Sequence, residues 1–151
     1  MANTKPEVIT MAQEIQRKGE LVNYELLDFA SGGHLSMLHV GMTDEELVKR
    51  LKSEGTCSTF TDKNCVNIAL SELFSDPYAA RLIAEWVIDP TALPRKKFDG
   101  FANDKLGRMI RKNGAIVSCD AFAFIFQKHD EDYRNKITGL PFDVVTAYVE
   151  D

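Results

Sequence analysis

The chain has 151 residues, 44% of them hydrophobic and 27% charged, which is typical of one soluble globular domain with its own core. Its formal net charge of −5 at pH 7 excludes an overall basic field that would attract nucleic acid to the whole surface. No apolar run approaches the roughly 20 residues of a membrane-spanning helix, and the first residues lack the apolar segment of a secretory signal.

The first third of the chain carries helical patterns. A helix is predicted over residues 6–18, where apolar side chains recur at helical spacing, and a second over residues 20–30. A short helical turn is expected over residues 34–39. Thr43 then opens another helix, because Glu46 three residues later completes a capping box with it.

The middle of the chain continues with a short extended segment and two helices. Residues 56–60 are rich in β-forming side chains and predict a strand. Asp62 is typical of a helix start, and the dipeptide Asp76-Pro77 restarts the pattern in a second helix. Pro90 and Pro94 end the helical part of the chain.

The last third alternates between apolar and polar residues, which predicts strands. They are expected over residues 98–103, 106–111, 121–128 and 142–149, with the tight-turn dipeptide Asn113-Gly114 between β-like runs. The last two strands are expected to pair antiparallel. Because helices occupy the first half and strands the second, the sequence predicts an α+β fold with one core.

The cysteine pattern argues against a disulfide framework. The three cysteines are Cys57, Cys65 and Cys119, an odd number without a CxxC pair. Such spacing suits neither a set of disulfides nor a structural metal site. We therefore expect three reduced thiols that pack as small hydrophobic side chains.

Two histidines and an arginine lie close together in sequence and are candidates for phosphate chemistry. His34 and His39 are five residues apart, so on one continuous helix they would not share a face. No third metal ligand lies nearby in sequence, and an exposed or core-satisfied histidine is the commoner alternative for either one. Arg50 flanks the apolar stripe of its helix, so its guanidinium either points into a cleft or stays in water.

Two hydroxyl side chains lie close together near the end of the chain. Thr146 and Tyr148 are two residues apart in the last predicted strand, so they are expected to share a face with Phe142 and Val144. Two hydroxyls on a face built for packing are unusual, and a polar sheet margin is the alternative.

The charge is unevenly distributed, with seven basic and two acidic side chains between residues 95 and 112. A local patch of this kind can bind nucleic-acid phosphates even on an acidic protein, and a solvated loop is the alternative. The basic residues are Arg95, Lys96, Lys97, Lys105, Arg108, Arg111 and Lys112.

Several segments follow one another in an order that matches a known family. They are GGHLSMLHVGMTDEELVKRL at residues 32–51, STFTD at Ser58–Asp62, Trp86, LGR at residues 106–108 and VTAYV at residues 145–149. The pattern has a glycine-histidine start, a histidine before valine and glycine, an arginine eleven residues later, and a closing threonine-alanine-tyrosine. These segments resemble the RNase A-like toxin domain at the C-terminus of bacterial CdiA contact-dependent growth inhibition proteins.

The resemblance implies a compact α+β ribonuclease, with N-terminal helices packed on a C-terminal antiparallel sheet. Its shape would be similar to pancreatic-type ribonuclease without the disulfides. On this interpretation residues 32–151 form the toxin domain, and residues 1–31 form a helical N-terminal segment for uptake or linkage. The implied enzyme is a metal-independent endoribonuclease that needs no cofactor and leaves 2′,3′-cyclic phosphate ends.

The family's active-site residues correspond to His39, Arg50, Thr146 and Tyr148, with His34 in a supporting role. His39 would take the proton of the ribose 2′-hydroxyl, because an imidazole with a pKa of roughly 6.5 suits a general base. Arg50 would stabilise the charge that develops on the phosphoryl oxygens. Thr146 would hold a phosphate oxygen or a base edge. Tyr148 would hydrogen-bond the phosphate or the leaving oxygen, with proton donation as the weaker alternative.

The resemblance also implies partners and a location. Arg108, Arg111 and Lys112 would guide the backbone of an RNA substrate, with tRNA among the candidates. A cognate immunity protein would block the cleft. The domain would be presented at the bacterial surface or secreted as the C-terminus of a larger protein, and would act in the target-cell cytoplasm without stable membrane insertion.

Two other functions stay open from the residues alone. A non-enzymatic protein-interaction domain would account for the net acidity and the modest density of motifs. A metal-dependent nuclease toxin would lose its activity in EDTA.

Overall fold

The computed structural model describes residues 6–20, 40–54, 57–130, 132–135 and 138–150. Four helices and six strands lie within these ranges. In chain order they are α1 (Pro6–Gly19), α2 (Asp44–Glu54), β1 (Cys57–Phe60), α3 (Lys63–Ser75), α4 (Pro77–Ile88), β2 (Arg95–Phe101), β3 (Gly107–Ile110), β4 (Ile116–Cys119), β5 (Ala121–Lys128) and β6 (Phe142–Glu150). The helix predicted over residues 20–30, apart from Glu20 itself, and the helical turn predicted over residues 34–39 lie outside the described residues.

Side chains at the start of three helices accept backbone hydrogen bonds, which explains where these helices begin. Thr43 and Glu46 form the predicted capping box, with reciprocal backbone-to-side-chain bonds of 3.0 and 3.2 Å. The bond from the Thr43 backbone lowers the pKa of the Glu46 carboxyl. Asp62 caps α3 and Asp76 caps α4, with donor–acceptor distances of 2.9 and 3.2 Å.

The six strands form two antiparallel sheets of three strands each, in the orders β1-β3-β4 and β2-β5-β6. The predicted antiparallel pairing of the last two strands is confirmed as β5 against β6. The Asn113-Gly114 turn is confirmed between β3 and β4, where Gly114 has a φ of 87°. β2 begins at Arg95, three residues before the predicted start. Helices followed by antiparallel sheets confirm the predicted α+β class.

An aromatic cluster fills the space between the β2-β5-β6 sheet and the helices α3 and α4. Phe126 lies at its centre, with ring centroids 4.8 Å from Phe142, 5.7 Å from Phe98 and 5.9 Å from Phe74. These separations are favourable for aromatic pairs. The whole phenylalanine row of β5, which is Phe122, Phe124 and Phe126, is buried in this core.

The helix α1 packs in the same core as α3 and α4. Its Val8 and Ile15 are fully buried in that cluster. The end of α1 lies close to α3, because Ser71 Oγ donates to the Gly19 carbonyl at 2.8 Å. A Cβ at Gly19 would lie 2.8 Å from Ser75 Oγ, so this approach requires glycine. The proposed division into an N-terminal segment and a toxin domain stays a prediction.

A β-bulge in β6 decides which of its side chains face the core. In the register with β5, Ile125 pairs with Thr146 and Phe126 pairs with Val144. Val145 is therefore the extra residue of the bulge. Side chains alternate along a regular strand. The residues after the bulge therefore lie on the opposite face from the one that regular alternation of this sequence would give them.

The bulge corrects one prediction about the candidate site. Phe142 and Val144 before the bulge and Val149 after it are all core residues. Thr146 and Tyr148 therefore project from the opposite face of the sheet. The prediction that they share a face with Phe142 and Val144 is wrong, because it assumed a regular strand.

All three cysteines are free thiols, as predicted for a fold without disulfides. Cys57 and Cys119 are buried and Cys65 is half-buried. Burial raises the pKa of the Cys65 and Cys119 thiols, which favours their protonated form. Separately, no described helix combines the length and apolar character that a membrane crossing needs.

Candidate active site

A cavity of about 260 Å³ lies where the two sheets meet, and two of the predicted catalytic residues line it. Arg50 reaches it from α2, and Tyr148 reaches it from β6. The remaining lining comes from β1, β3 and β6, namely Cys57, Ser58, Met109, Val149 and Glu150. The fold therefore brings a guanidinium and a phenol from distant parts of the sequence to one cleft.

The packing of α2 holds Arg50 at this cavity. Leu47 is fully buried and forms a small core with Cys57 of β1 and Ile110 of β3. One turn later, Arg50 Nη1 donates to the sulfur of Met42 at 3.4 Å. A thioether is a weak acceptor, so this contact orients the guanidinium without neutralising its charge.

Arg108 ties β3 to the start of α2. Its Nε lies 2.7 Å from Oδ1 of Asp44, and its Nη2 donates to the Met42 carbonyl at 2.7 Å. The Met42 backbone in turn donates to Thr59 Oγ1 of β1 at 3.1 Å. Arg108 thus holds the segment that leads to Arg50, while its contact with RNA stays a prediction.

The turn between β3 and β4 carries the other two predicted RNA-binding residues. Arg111 and Lys112 are exposed there. The backbone N–H of Arg111 donates to the Ala115 carbonyl at 2.9 Å and closes the turn. RNA contact by Arg111 and Lys112 stays a prediction.

Both candidate histidines, His34 and His39, lie outside the described residues. The described chain resumes at Val40, which forms a parallel bridge with Phe60 at the end of β1. The Gly41 N–H donates to the Phe60 carbonyl at 2.8 Å, and Gly41 has a φ of 69°, a value that favours glycine. The backbone that follows His39 is therefore joined to β1, a strand that also lines the cavity.

The outer face of β6 presents Thr146, Tyr148 and Glu150 together. Thr146 Oγ1 is buried and lacks a hydrogen-bond partner among the described residues. Lys97 of β2 reaches this face, with its Nζ 3.2 Å from Glu150 Oε1 and 5.7 Å from the centroid of the Tyr148 ring. The sequence marked Lys97 only as one of the seven basic residues between 95 and 112, and it did not single out Glu150. Alternation around Phe98 places Lys97 on the face opposite the core.

The third histidine belongs to a separate cluster at the other end of β6. His129 Nε2 lies 3.0 Å from Asp143, and Asp143 also accepts from Tyr133 Oη at 2.6 Å and from Asn135 Nδ2 at 2.7 Å. Burial, together with the hydrogen bond from Tyr133 to Asp143, raises the pKa of Tyr133 to about 12. Asp143 is five residues from Tyr148, about 17 Å along a strand, so the cluster anchors the β5–β6 connection instead of joining the cavity.

A larger cleft of about 460 Å³ lies between α3, α4 and β2. Its lining includes the carboxylates of Glu72, Asp76 and Asp99. Three acidic groups would repel a phosphate, whereas the smaller cavity has one cation, Arg50, and one carboxylate, Glu150, in its lining. Charge therefore favours the smaller cavity as the site for a nucleic acid.

The fold and this cavity define a class of protein: a disulfide-free α+β domain with a cation and a phenol at the junction of two antiparallel sheets. The chain belongs to the bacterial CdiA-CT RNAse A domain family, whose model matches residues 33–148. This match confirms the resemblance and identifies a toxin domain of the ribonuclease A type. The helix α1 precedes the matched residues.

A solved structure supports the same fold. The chain is similar to the crystal structure of a CdiA-CT/CdiI complex from Y. kristensenii 33638, with a TM-score of 0.61 and 21% sequence identity. The similarity covers 75% of this chain and 95% of that chain. At this identity the likeness shows a shared fold. No curated protein matches the sequence.

Proposed function

We propose that this domain cleaves RNA without a metal ion, by attack of a ribose 2′-oxygen on the adjacent phosphorus. The bond from phosphorus to the 5′-oxygen breaks, and the product carries a 2′,3′-cyclic phosphate. The observation that carries the proposal is the cavity lined by both Arg50 and Tyr148 in a chain of the ribonuclease A toxin family.

Arg50 has the properties that a phosphoryl transition state requires. Its guanidinium is permanently charged and can donate two parallel hydrogen bonds to phosphate oxygens. Donors that are oriented before the reaction act most strongly where charge develops. The contact of Arg50 Nη1 with the Met42 sulfur and the packing of Leu47 support such an orientation.

The proton transfers need a base for the 2′-hydroxyl and a donor for the 5′-oxygen that leaves. His39 is the proposed base, since a histidine titrates near neutral pH. Tyr148 is proposed to hydrogen-bond the phosphate or the leaving oxygen, with proton donation as the alternative. Thr146 is proposed to hold a phosphate oxygen or a base edge, and His34 to support His39.

The test is an RNA cleavage assay in EDTA with analysis of the product ends. Wild-type protein is expected to leave 2′,3′-cyclic phosphate ends. Arg50→Ala is expected to lower kcat by about 10²- to 10³-fold, the usual cost of losing a donor to developing charge. Tyr148→Phe should lower kcat less, because the phenol supplies one hydrogen bond.

The matched control is Lys49→Ala, which removes the same charge from the exposed neighbour of Arg50 on α2. It should keep the wild-type kcat. Absence of cyclic phosphate ends, loss of activity in EDTA, or full activity in His39→Ala would each contradict the proposed mechanism.

The partners and location of the domain are part of the same proposal. The related structure is a complex with CdiI, and we infer a cognate immunity protein that covers the cavity of this chain. Arg108, Arg111 and Lys112 are proposed to guide the RNA backbone, with tRNA among the candidate substrates. The domain is proposed to be carried at the bacterial surface by a larger CdiA-type protein and to act in the target-cell cytoplasm.

A further inference from the structure

Lys97 lies on the edge strand β2 and faces the same side of its sheet as the candidate catalytic residues. It pairs with Ile125 of β5, which pairs with Thr146 of β6. The next residue, Phe98, is buried in the core on the opposite face. Lys97, Ile125 and Thr146 therefore form one row across the outer face.

The side chain of Lys97 crosses the middle strand β5 to reach β6. Neighbouring strands are about 4.8 Å apart, so β2 and β6 are roughly 10 Å apart and only long side chains can meet. The residues of β5 that pair with Glu150 and Tyr148 are Ala121 and Ala123, whose small side chains leave room. Lys97 Nζ lies 3.2 Å from Oε1 and 3.4 Å from Oε2 of Glu150.

Glu150 by itself would be unfavourable for a site that binds phosphate. It lines the cavity together with Arg50, and its negative charge would offset the positive charge of that arginine. The hydrogen bond with Glu150 raises the pKa of Lys97, so its ammonium stays charged at neutral pH. With Lys97 included, these three side chains carry one net positive charge.

We propose that Lys97 is a charge-balancing and positioning residue of this site, which offsets Glu150 so that an RNA phosphate meets a net positive cavity. The inference rests on the proposed ribonuclease function. Lys97 lies within residues 33–148, which the family model matches, and Glu150 lies two residues beyond them.

The test is a double-mutant cycle on the full chain, with kcat and KM measured on an RNA oligonucleotide. Lys97→Met is expected to raise KM about fivefold at low salt, because a partly exposed charge contact is lost. Its kcat should stay close to that of the wild type. At about 1 M salt, where the Debye length is about 3 Å, the difference should vanish. Adding Glu150→Gln to Lys97→Met should restore the wild-type KM, because no carboxylate then needs an offset.

Two control variants separate charge from folding. Lys49→Met removes the same charge from an exposed position on α2 and should keep the wild-type KM. Lys97→Arg keeps the charge and should also keep the wild-type KM. Equal thermal unfolding midpoints in all variants would exclude a folding defect as the cause of a change in KM.

Three results would overturn the inference while the wild type still cleaves RNA, and each would leave the proposed function standing. Lys97→Met could match Lys49→Met, which would remove any role for Lys97. The double variant could remain as poor as Lys97→Met, which would mean that the lysine contacts RNA directly. Glu150→Gln alone could abolish cleavage, which would give the carboxylate a chemical role. A wild-type chain that leaves RNA intact would overturn both proposals.

Discussion

The two faces of the β2-β5-β6 sheet have opposite chemistry on the same three strands. The core face is a layer of phenylalanine rings whose neighbouring centroids are 4.8 to 6.0 Å apart: Phe98, Phe122, Phe124, Phe126 and Phe142. The outer face carries Lys97, Thr146, Tyr148 and Glu150. Closely packed rings resist displacement, while polar side chains at a cleft can exchange their partners for a ligand. The core face thus holds the strands in place, and the outer face is available for chemistry.

The bulge at Val145 decides which residues of β6 face the core and which face outward. Phe142 and Val149 are seven residues apart, so a regular strand of this sequence would place them on opposite faces, and the bulge brings both into the core. The bulge keeps the aromatic layer continuous and, through the same shift, turns Tyr148 and Glu150 toward the cavity. One irregular residue therefore separates the packing function of β6 from its candidate catalytic function.

The largest expected effect comes from placing a charge on the core side of β6 after the bulge. Val149 is fully buried and pairs with Phe122, so Val149→Asp would put an unpaired carboxylate in the phenylalanine layer. An unpaired buried charge costs about 3–5 kcal/mol, a large part of the roughly 5–15 kcal/mol that stabilise a domain. We expect loss of the cooperative urea transition in circular dichroism, with Glu150→Asp on the outer face as a folded control. A wild-type urea midpoint in Val149→Asp would show that this part of β6 does not face the core.

Neighbouring alanine substitutions on opposite faces of β5 test the contrast in packing. Phe126→Ala removes the central ring of the aromatic layer and should lower the free energy of unfolding by about 3–5 kcal/mol. Ile125→Ala removes a half-buried side chain from the outer face and should cost roughly half as much. Both values follow from urea denaturation. Equal losses would mean that the two faces contribute alike to stability.

Arg108→Ala tests whether the polar contacts of the smaller sheet support the same cavity. Loss of its bonds to Asp44 and the Met42 carbonyl should lower the free energy of unfolding by roughly 1–2 kcal/mol. Because these bonds hold the start of α2, kcat for RNA should fall as well. Lys112→Ala, on the exposed turn, is the control for stability. A change confined to KM and to the salt dependence would instead favour direct RNA contact by Arg108.

Thr146→Val tests the buried hydroxyl on the outer face. Thr146 Oγ1 has no hydrogen-bond partner among the described residues, so valine should leave stability unchanged or raise it by up to about 1 kcal/mol. Thr59→Val is the matched control. Its hydroxyl accepts from Met42 and donates to the Phe60 carbonyl, so this variant should be destabilised. If Thr146→Val is destabilised as strongly as Thr59→Val, the hydroxyl has a structural partner, and unchanged RNA cleavage would remove its proposed role.

The smallest effect is expected at alkaline pH, at the end of β6 away from the cavity. The pKa of Tyr133 is raised to about 12 in the folded chain, first by burial and then by the bond to Asp143. The neutral phenol therefore stabilises the fold below the ordinary pKa of about 10, and this contribution is lost as pH rises toward 12. The difference in urea midpoint between wild type and Tyr133→Phe should shrink from about pH 9 to about pH 11.5. A constant difference would contradict the shift.

Local sequence patterns determine much of the fold. The Thr43–Glu46 capping box, the Asp62 and Asp76 caps and the Asn113-Gly114 turn are predicted correctly. Each depends on hydrogen bonds or backbone angles within a few consecutive residues, so the sequence contains the whole determinant. The family can also be predicted from the sequence, because its motifs keep their order along the chain.

The candidate site is only partly determined in this way. The family pattern points to Arg50 and Tyr148, but their common cavity depends on how α2 packs against β1 and β3. The faces of Thr146 and Tyr148 depend on a bulge that strand alternation does not predict. The contact of Lys97 with Glu150 joins residues 53 positions apart across a middle strand. Register and packing between distant segments set all three features, so only the tertiary structure decides them.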